Sequence, residues 1–304
     1  VLAVCSIRIG RHALSDLVLH LGRIHIGGLV VNRILVIGQS HVRALIDGYG
    51  QLTRPDAGPA GSPEASFAIC RPQQTVQWEW QPSGFVRHQV KKPVIDLVTK
   101  GAANHVAFTW GGNQMSLRAL IATDRPFDVL VPSSGEEVRT DPGGELLPCS
   151  VVDSYVRQRL ESNETLHQLI DAAGRRGVPA AMVIPPPPLP GGAVRMRLGE
   201  EPYFITVLEH LGLTAAEVPL VPDPVRARLW NLLAGSYRSF AARNGLEVVE
   251  PPEEAFDADG MLVEDYWGID ATHAGANYGT SVLRQLFDWA SHPTARPIVV
   301  GEAE

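Results

Sequence analysis

The sequence predicts an α/β fold with a mostly parallel central sheet covered by helices on both faces. Two observations carry this. Short apolar, β-branched runs alternate with longer amphipathic stretches, and several of those runs stop directly at glycine or proline. Size agrees: 304 residues with 45% hydrophobic and 19% charged side chains suffice to bury a full core.

Residues 33–37 (RILVI) read as a buried strand stopped by Gly38, and 41–47 as helix. Residues 52–63 (LTRPDAGPAGSP) are loop by composition. Two further strands are expected over 66–70 and 75–80, the second alternating Val76, Trp78 and Trp80. Residues 93–100 suit a helix with Pro93 in its first turn. Residues 105–110 (HVAFTW) form a strand that ends in Gly111-Gly112, and 127–131 another. The spacing predicts one long helix over 150–177, with Val152, Val156, Leu160, Leu166, Leu169 and Ile170 near one face and Gly177 at its stop. A strand over 180–184 is stopped by Pro185–Pro188 and Pro190. Residues 223–244 are helical, 246–249 extended, and 277–291 the last helix, with Val282, Leu283, Leu286 and Phe287 inward.

No repeat or dividing linker interrupts this pattern. A single domain is expected over 31–304, with loop insertions near 51–100 and 185–224 over the strand ends. Residues 1–30 precede the first strand and are read as an accessory segment or a mis-called extension, with Val31 suited to an alternative start.

Composition excludes several functions. A net charge of −7 lacks the basic footprint of a nucleic-acid binder. The most apolar stretch, 17–31, is broken by His20, Arg23 and His25 and is too short for a membrane span. No small-x-small cleavage site follows it, so a cytoplasmic location is expected. The three cysteines, Cys5, Cys70 and Cys149, form neither a disulfide framework nor a zinc pattern, and buried thiols are expected. The ten histidines include no His-x-x-x-His, and no Walker A loop or GxGxxG fingerprint occurs; neither a metal nor a cofactor is expected.

Ligands of open α/β sheets bind beyond the carboxyl ends of the strands, so residues just after strands matter most. Three motifs stand at such places. Gly38-Gln39-Ser40-His41 puts a hydroxyl where helix N–H groups favour a developing oxyanion. By itself this motif reads more simply as an N-cap serine. Gly111-Gly112-Asn113 offers a side-chain amide to an oxyanion, although Gly-Gly-Asn alone is ordinary turn chemistry. Asp270-Ala271-Thr272-His273 lets a carboxylate turn back onto an imidazole three residues later; it also fits a helix-start signal beside a surface histidine.

Together, in the order Ser, Asn, Asp-x-x-His, these motifs resemble the SGNH hydrolase superfamily of GDSL-like esterases and lipases, over about residues 32–290. The resemblance implies a three-layer α/β/α flavodoxin-like sandwich and ester hydrolysis by a serine nucleophile. It casts Ser40 as nucleophile, His273 as base and Asp270 as its orienter. Asn113 and the Ser40 N–H become oxyanion donors. Two departures stand out. The usual Gly-Asp-Ser reads Gly38-Gln39-Ser40, and the second-block glycine has no firm place: Gly84 is the first choice and Gly101 the second. No Gly-x-Ser-x-Gly elbow is present, since residue 42 is Val.

His41, Gly112 and Trp110 are candidate substrate contacts, with a packed or surface role the plainer reading for His41 and a core role for Trp78, Trp80 and Trp110. The 185–190 proline run suits a rigid rim wall better than a partner-binding segment. The expected function is a cofactor-independent serine esterase acting on a small-molecule or glycan ester. The alternatives are an acyltransferase to a carbohydrate hydroxyl, a binding protein that keeps the fold without catalysis, and a flavodoxin-like small-molecule binder in which Ser40 is inert.

A chain starting at Val31 should stay in solution and keep at least about half of full-length activity, since the preceding segment lacks a core pattern. Insolubility, or loss of most activity, would show that the segment packs on the core.

Overall fold

A computed structural model of the chain describes residues 32–53, 64–70, 76–80, 86–90, 92–101, 103–111, 120–122, 126–130, 144–200 and 202–292. Residues 1–31, including Cys5 and the expected extension, lie outside them.

The central sheet has five strands, all parallel. In chain order they are β1 (Arg33–Gly38), β2 (Glu64–Ile69), β5 (His105–Thr109), β8 (Ala180–Val183) and β9 (Glu247–Val249). Their spatial order is β2-β1-β5-β8-β9, the flavodoxin-like arrangement. Strand residues alternate between two cores. Leu35, Ile37, Val106, Phe108 and Met182 face one layer. Ile34, Val36, Ala107, Ala181 and Val183 face the other. Both faces are apolar because both are covered, which is why these strands read as continuous hydrophobic runs.

Helices α2 (Lys92–Lys100), α3 (Cys149–Glu161), α4 (Glu164–Arg176) and α7 (Asp223–Arg243) cover the first face. Helices α1 (Val42–Leu52), α5 (Gly191–Leu198), α6 (Pro202–Leu211) and α8 (Ala276–Ser291) cover the second. The fold is therefore a three-layer α/β/α sandwich.

Several expectations are corrected. The long helix over 150–177 is two helices, broken at residues 162–163. Asn163 forms the break: its side chain accepts the Leu166 N–H at 3.0 Å and caps α4. The 185–224 stretch is not a loop insertion but contains α5 and α6. The 51–100 stretch likewise holds β2, α2 and an antiparallel pair, β3 (Val76–Trp80) with β4 (Val86–Val90), that stands outside the central sheet. The 127–131 strand also lies outside it: β6 (Phe127–Leu130) pairs with β7 (Glu145–Pro148). Arg228 of α7 holds this pair through two nitrogens on the buried Asp128 carboxylate, at 2.6–3.0 Å.

Helices α1 and α8 touch backbone to backbone. A Cβ at Gly279 would fall on the Ala44 carbonyl, and one at Gly48 on the Thr280 nitrogen. Thr280 Oγ1 adds a 2.9 Å bond to Gln51 Oε1. This contact carries the start of α8 to the start of α1. Gly279→Ala should lower stability by about 1–3 kcal/mol in urea unfolding, because neither backbone has room to move. Gly50→Ala, with nothing within 4 Å of the added methyl, should instead raise it by up to about 1 kcal/mol. Equal effects from both would show that the helices are not in close contact.

Candidate active site

The strand order reverses between β1 and β5, where the connections leave to opposite faces and a crevice forms beyond the strand ends. Gly38 ends β1 there. A Cβ at that position would fall on the Thr109 carbonyl and hydroxyl, so the close approach of the two strand ends requires glycine. The Gln39 N–H donates to the Thr109 carbonyl at 3.2 Å, and the Cys70 N–H donates to the Gly38 carbonyl at 2.6 Å. Position 39 thus serves the turn through its backbone, which an amide side chain does as well as a carboxylate.

Ser40 follows, exposed at the start of α1. Its carbonyl accepts the Arg43 N–H at 3.0 Å, while the N-cap position of α1 is His41.

Asp270 and His273 sit in the loop before α8. His273 Nδ1 lies 2.7 Å from Asp270 Oδ2. Asp270 Oδ1 accepts the Thr272 and His273 N–H groups, both at 2.8 Å. The loop is fixed from outside as well: the Gly268 N–H donates to the His273 carbonyl at 3.0 Å, and the Gly275 N–H to the Tyr266 carbonyl at 2.7 Å. Burial pushes the Asp270 carboxyl up, but these donors outweigh it and hold its pKa at about 2. It is an anion at neutral pH, clamped on one edge of the imidazole.

The His273 ring packs on the His41 ring with centroids 5.1 Å apart. The fold thus brings the first and last motifs together across 230 residues of chain. Burial, then the neighbouring His273, lowers the His41 pKa to about 3, against a smaller upward pull from Asp270. His41 is therefore neutral, and its Nε2 is buried without a hydrogen bond to the protein.

A recess of about 360 Å³, counting its solvent-open mouth, lies against His41. His41, Thr109, Trp110, Ile184, Pro185 and Tyr278 are among its walls. Trp110 is buried here, and its carbonyl accepts the Tyr237 hydroxyl at 2.6 Å. Gly111 turns the chain with φ +71°, in the left-handed region. The proline run forms one wall. Its carbonyls are anchored: Pro185 by Trp230 Nε1 at 3.1 Å, Pro188 by the Leu262 N–H at 2.9 Å, and Leu189 by the Arg226 guanidinium at 2.7 Å.

Gly112, Asn113 and Gly84 lie outside the described residues, as do the side chains of Trp78 and Trp80. Gly101 follows α2 and precedes β5, at the opposite end of the strand from Thr109 and so away from this crevice. Sequence reasoning missed Thr109 and Tyr278. Tyr278 read as an ordinary helix position, and only the packing of α8 turns it into the recess. Among the described residues no His, Cys, Asp and Glu cluster could hold a metal ion, and no helix is long and apolar enough to cross a membrane. Cys70 is buried and Cys149 half-buried.

No protein-family model matches the chain, nor does any curated protein sequence. Among solved structures, a Bacteroides fragilis protein assigned to the acylhydrolases is similar at TM-score 0.44 and 10% identity, over 94% of this chain and 96% of its own. A GDSL-like lipase from Bacteroides thetaiotaomicron is similar at TM-score 0.42 and 9% identity, over 92% and 97%. An acetyl xylan esterase is similar at TM-score 0.36 and 8% identity, over 84% and 98%.

The buried imidazoles set an acid sensitivity. His41 takes its proton near 6.5 when unfolded but only near 3 when folded, and burial lowers His105 in the same direction. Stability should therefore fall as pH drops from 6.5 toward 3. Asp270, lowered from 3.8 to about 2, contributes fully above 3.8 and is lost only as pH falls through about 2, so it leaves the window above pH 4 untouched. His41→Gln should reduce the loss of unfolding free energy between pH 7 and 4.5 by about 1–3 kcal/mol. An unchanged slope would show that His41 titrates freely.

Proposed function

We propose that the protein is a serine esterase, with Ser40 as nucleophile, His273 as general base and Asp270 as the carboxylate that orients it. One observation carries this reading. An imidazole clamped through Nδ1 by a half-buried carboxylate stands against the residue next to an exposed serine, at the sheet's switch point.

The Asp270 contact fixes the tautomer with Nδ1 protonated, so Nε2 is the nitrogen that exchanges protons. In acylation the Ser40 oxygen bonds the ester carbonyl carbon while its proton passes to His273 Nε2. The tetrahedral oxyanion is met by the Ser40 backbone N–H and the Asn113 amide. On collapse the carbon–oxygen bond to the alcohol breaks, and His273 returns the proton to the leaving oxygen. Water then repeats the sequence on the acyl-enzyme and releases the acid. Asp270 stabilises the transient imidazolium without taking its proton. The alternative acceptor, a carbohydrate hydroxyl, uses the same residues.

A fluorophosphonate probe should attach to the Ser40 peptide, located by mass spectrometry. Ser40→Ala and His273→Ala should each abolish labelling and ester turnover, and Asp270→Asn should cost less than His273→Ala because the base remains. Labelling at another serine, or ester turnover retained by Ser40→Ala, would end the proposal. Asn113→Ala should lower kcat by about 10²–10³ with little change in KM. An unaltered kcat would remove Asn113 from the mechanism.

A further inference from the structure

Among the described residues, seven buried side-chain polar atoms make no hydrogen bond to the protein. Four of them, His41 Nε2, Thr109 Oγ1, Trp110 Nε1 and the Tyr278 hydroxyl, belong to residues that line the one recess at the switch point. Trp110, Thr109 and Tyr278 are each only 4% exposed. Isolated buried polar groups are costly, and four of the seven lie in residues around this one space.

We infer that this recess is the acyl site and that it accepts short, uncharged acyl groups. The inference rests on the esterase reading and names its substrate class. Position comes first: the lining includes His41 and Ala274, the chain neighbours of Ser40 and His273, so the recess adjoins the two segments that carry those residues. Size is the next limit. The interior has space for roughly one or two water-sized groups, and its inner wall is made of the core residues Leu45, Val183 and Val282. A guest of a few heavy atoms fits; a long chain would have to displace the core.

Charge is the third limit. No Lys, Arg, Asp or Glu lines the recess among the described residues, and His41 is held neutral, so a charged acyl group would enter without a partner. The four polar atoms also act against long alkyl chains. A long alkyl chain offers none of them a hydrogen-bond partner.

The test uses p-nitrophenyl esters from acetate to dodecanoate, with the singly charged hemisuccinate, on the full chain. Wild type should show its highest kcat/KM at two to four carbons, falling by about tenfold or more at eight and for hemisuccinate. Val282→Ala, which deepens the inner wall, should raise the octanoate-to-acetate ratio by about tenfold. Tyr278→Phe, which removes one polar atom at constant shape, should raise it severalfold. Ratios are read, so a modest loss of folded protein does not disguise the result.

Labelling at Ser40 together with a preference for octanoate or longer would overturn the inference and leave the esterase reading standing. So would wild-type ratios in both variants with intact circular dichroism. A fluorophosphonate adduct at another serine, or no turnover of any ester, would remove the esterase reading, and this inference falls with it.

Discussion

A single missing side chain sets the geometry of the site. At Gly38 the end of β1 lies directly against Thr109 at the end of β5, so that a methyl group would occupy the place of the Thr109 carbonyl and hydroxyl. The Gln39 N–H then bonds that same carbonyl, which turns the chain away from the sheet and starts α1. Ser40 stands on this turn. Parallel strands leave a crevice at such a reversal because the connections depart to opposite faces. The candidate site is what the chain does with that crevice. A larger residue at 38 would separate the strand ends and shift Ser40 with them.

The second half of the site arrives by packing rather than by the sheet. Gly48 and Gly279 let α1 and α8 meet along their backbones. The loop before α8 must then end beside the start of α1, which sets the His273 ring on the His41 ring. The two imidazoles have opposite electrostatic settings. His273 has the Asp270 carboxylate on Nδ1. His41 is enclosed, held neutral by burial and by its neighbour. In the proposed reaction the first is the base, and the second adds shape and a neutral polar edge without a competing charge.

Much of this was legible in the chain. The runs at 33–37, 105–110 and 180–184 announced buried parallel strands because a doubly covered strand has no polar face to show. The Asp270–His273 pairing was legible because the contact is local, within one turn of chain. The break at Asn163 was less so: apolar spacing continues through both helices, and a single capping residue interrupts it. The sheet membership of 75–80 and 127–131 was also hidden. A strand's period tells which face is buried and not which strand it joins; β3 and β6 find partners outside the main sheet. Tyr278 and Thr109 were invisible as site residues because only tertiary packing brings them to one recess.

The proposed mechanism requires above all that Ser40 and His273 act as one unit. A double-mutant cycle on kcat/KM tests this most directly, using Ser40→Ala, His273→Ala and the double variant. Residues that share one catalytic step lose their effect once and not twice. The double variant should therefore match the worse single variant within about threefold. Losses that multiply, with the double variant slower by the product of the two single effects, would contradict the account and separate the serine from the histidine.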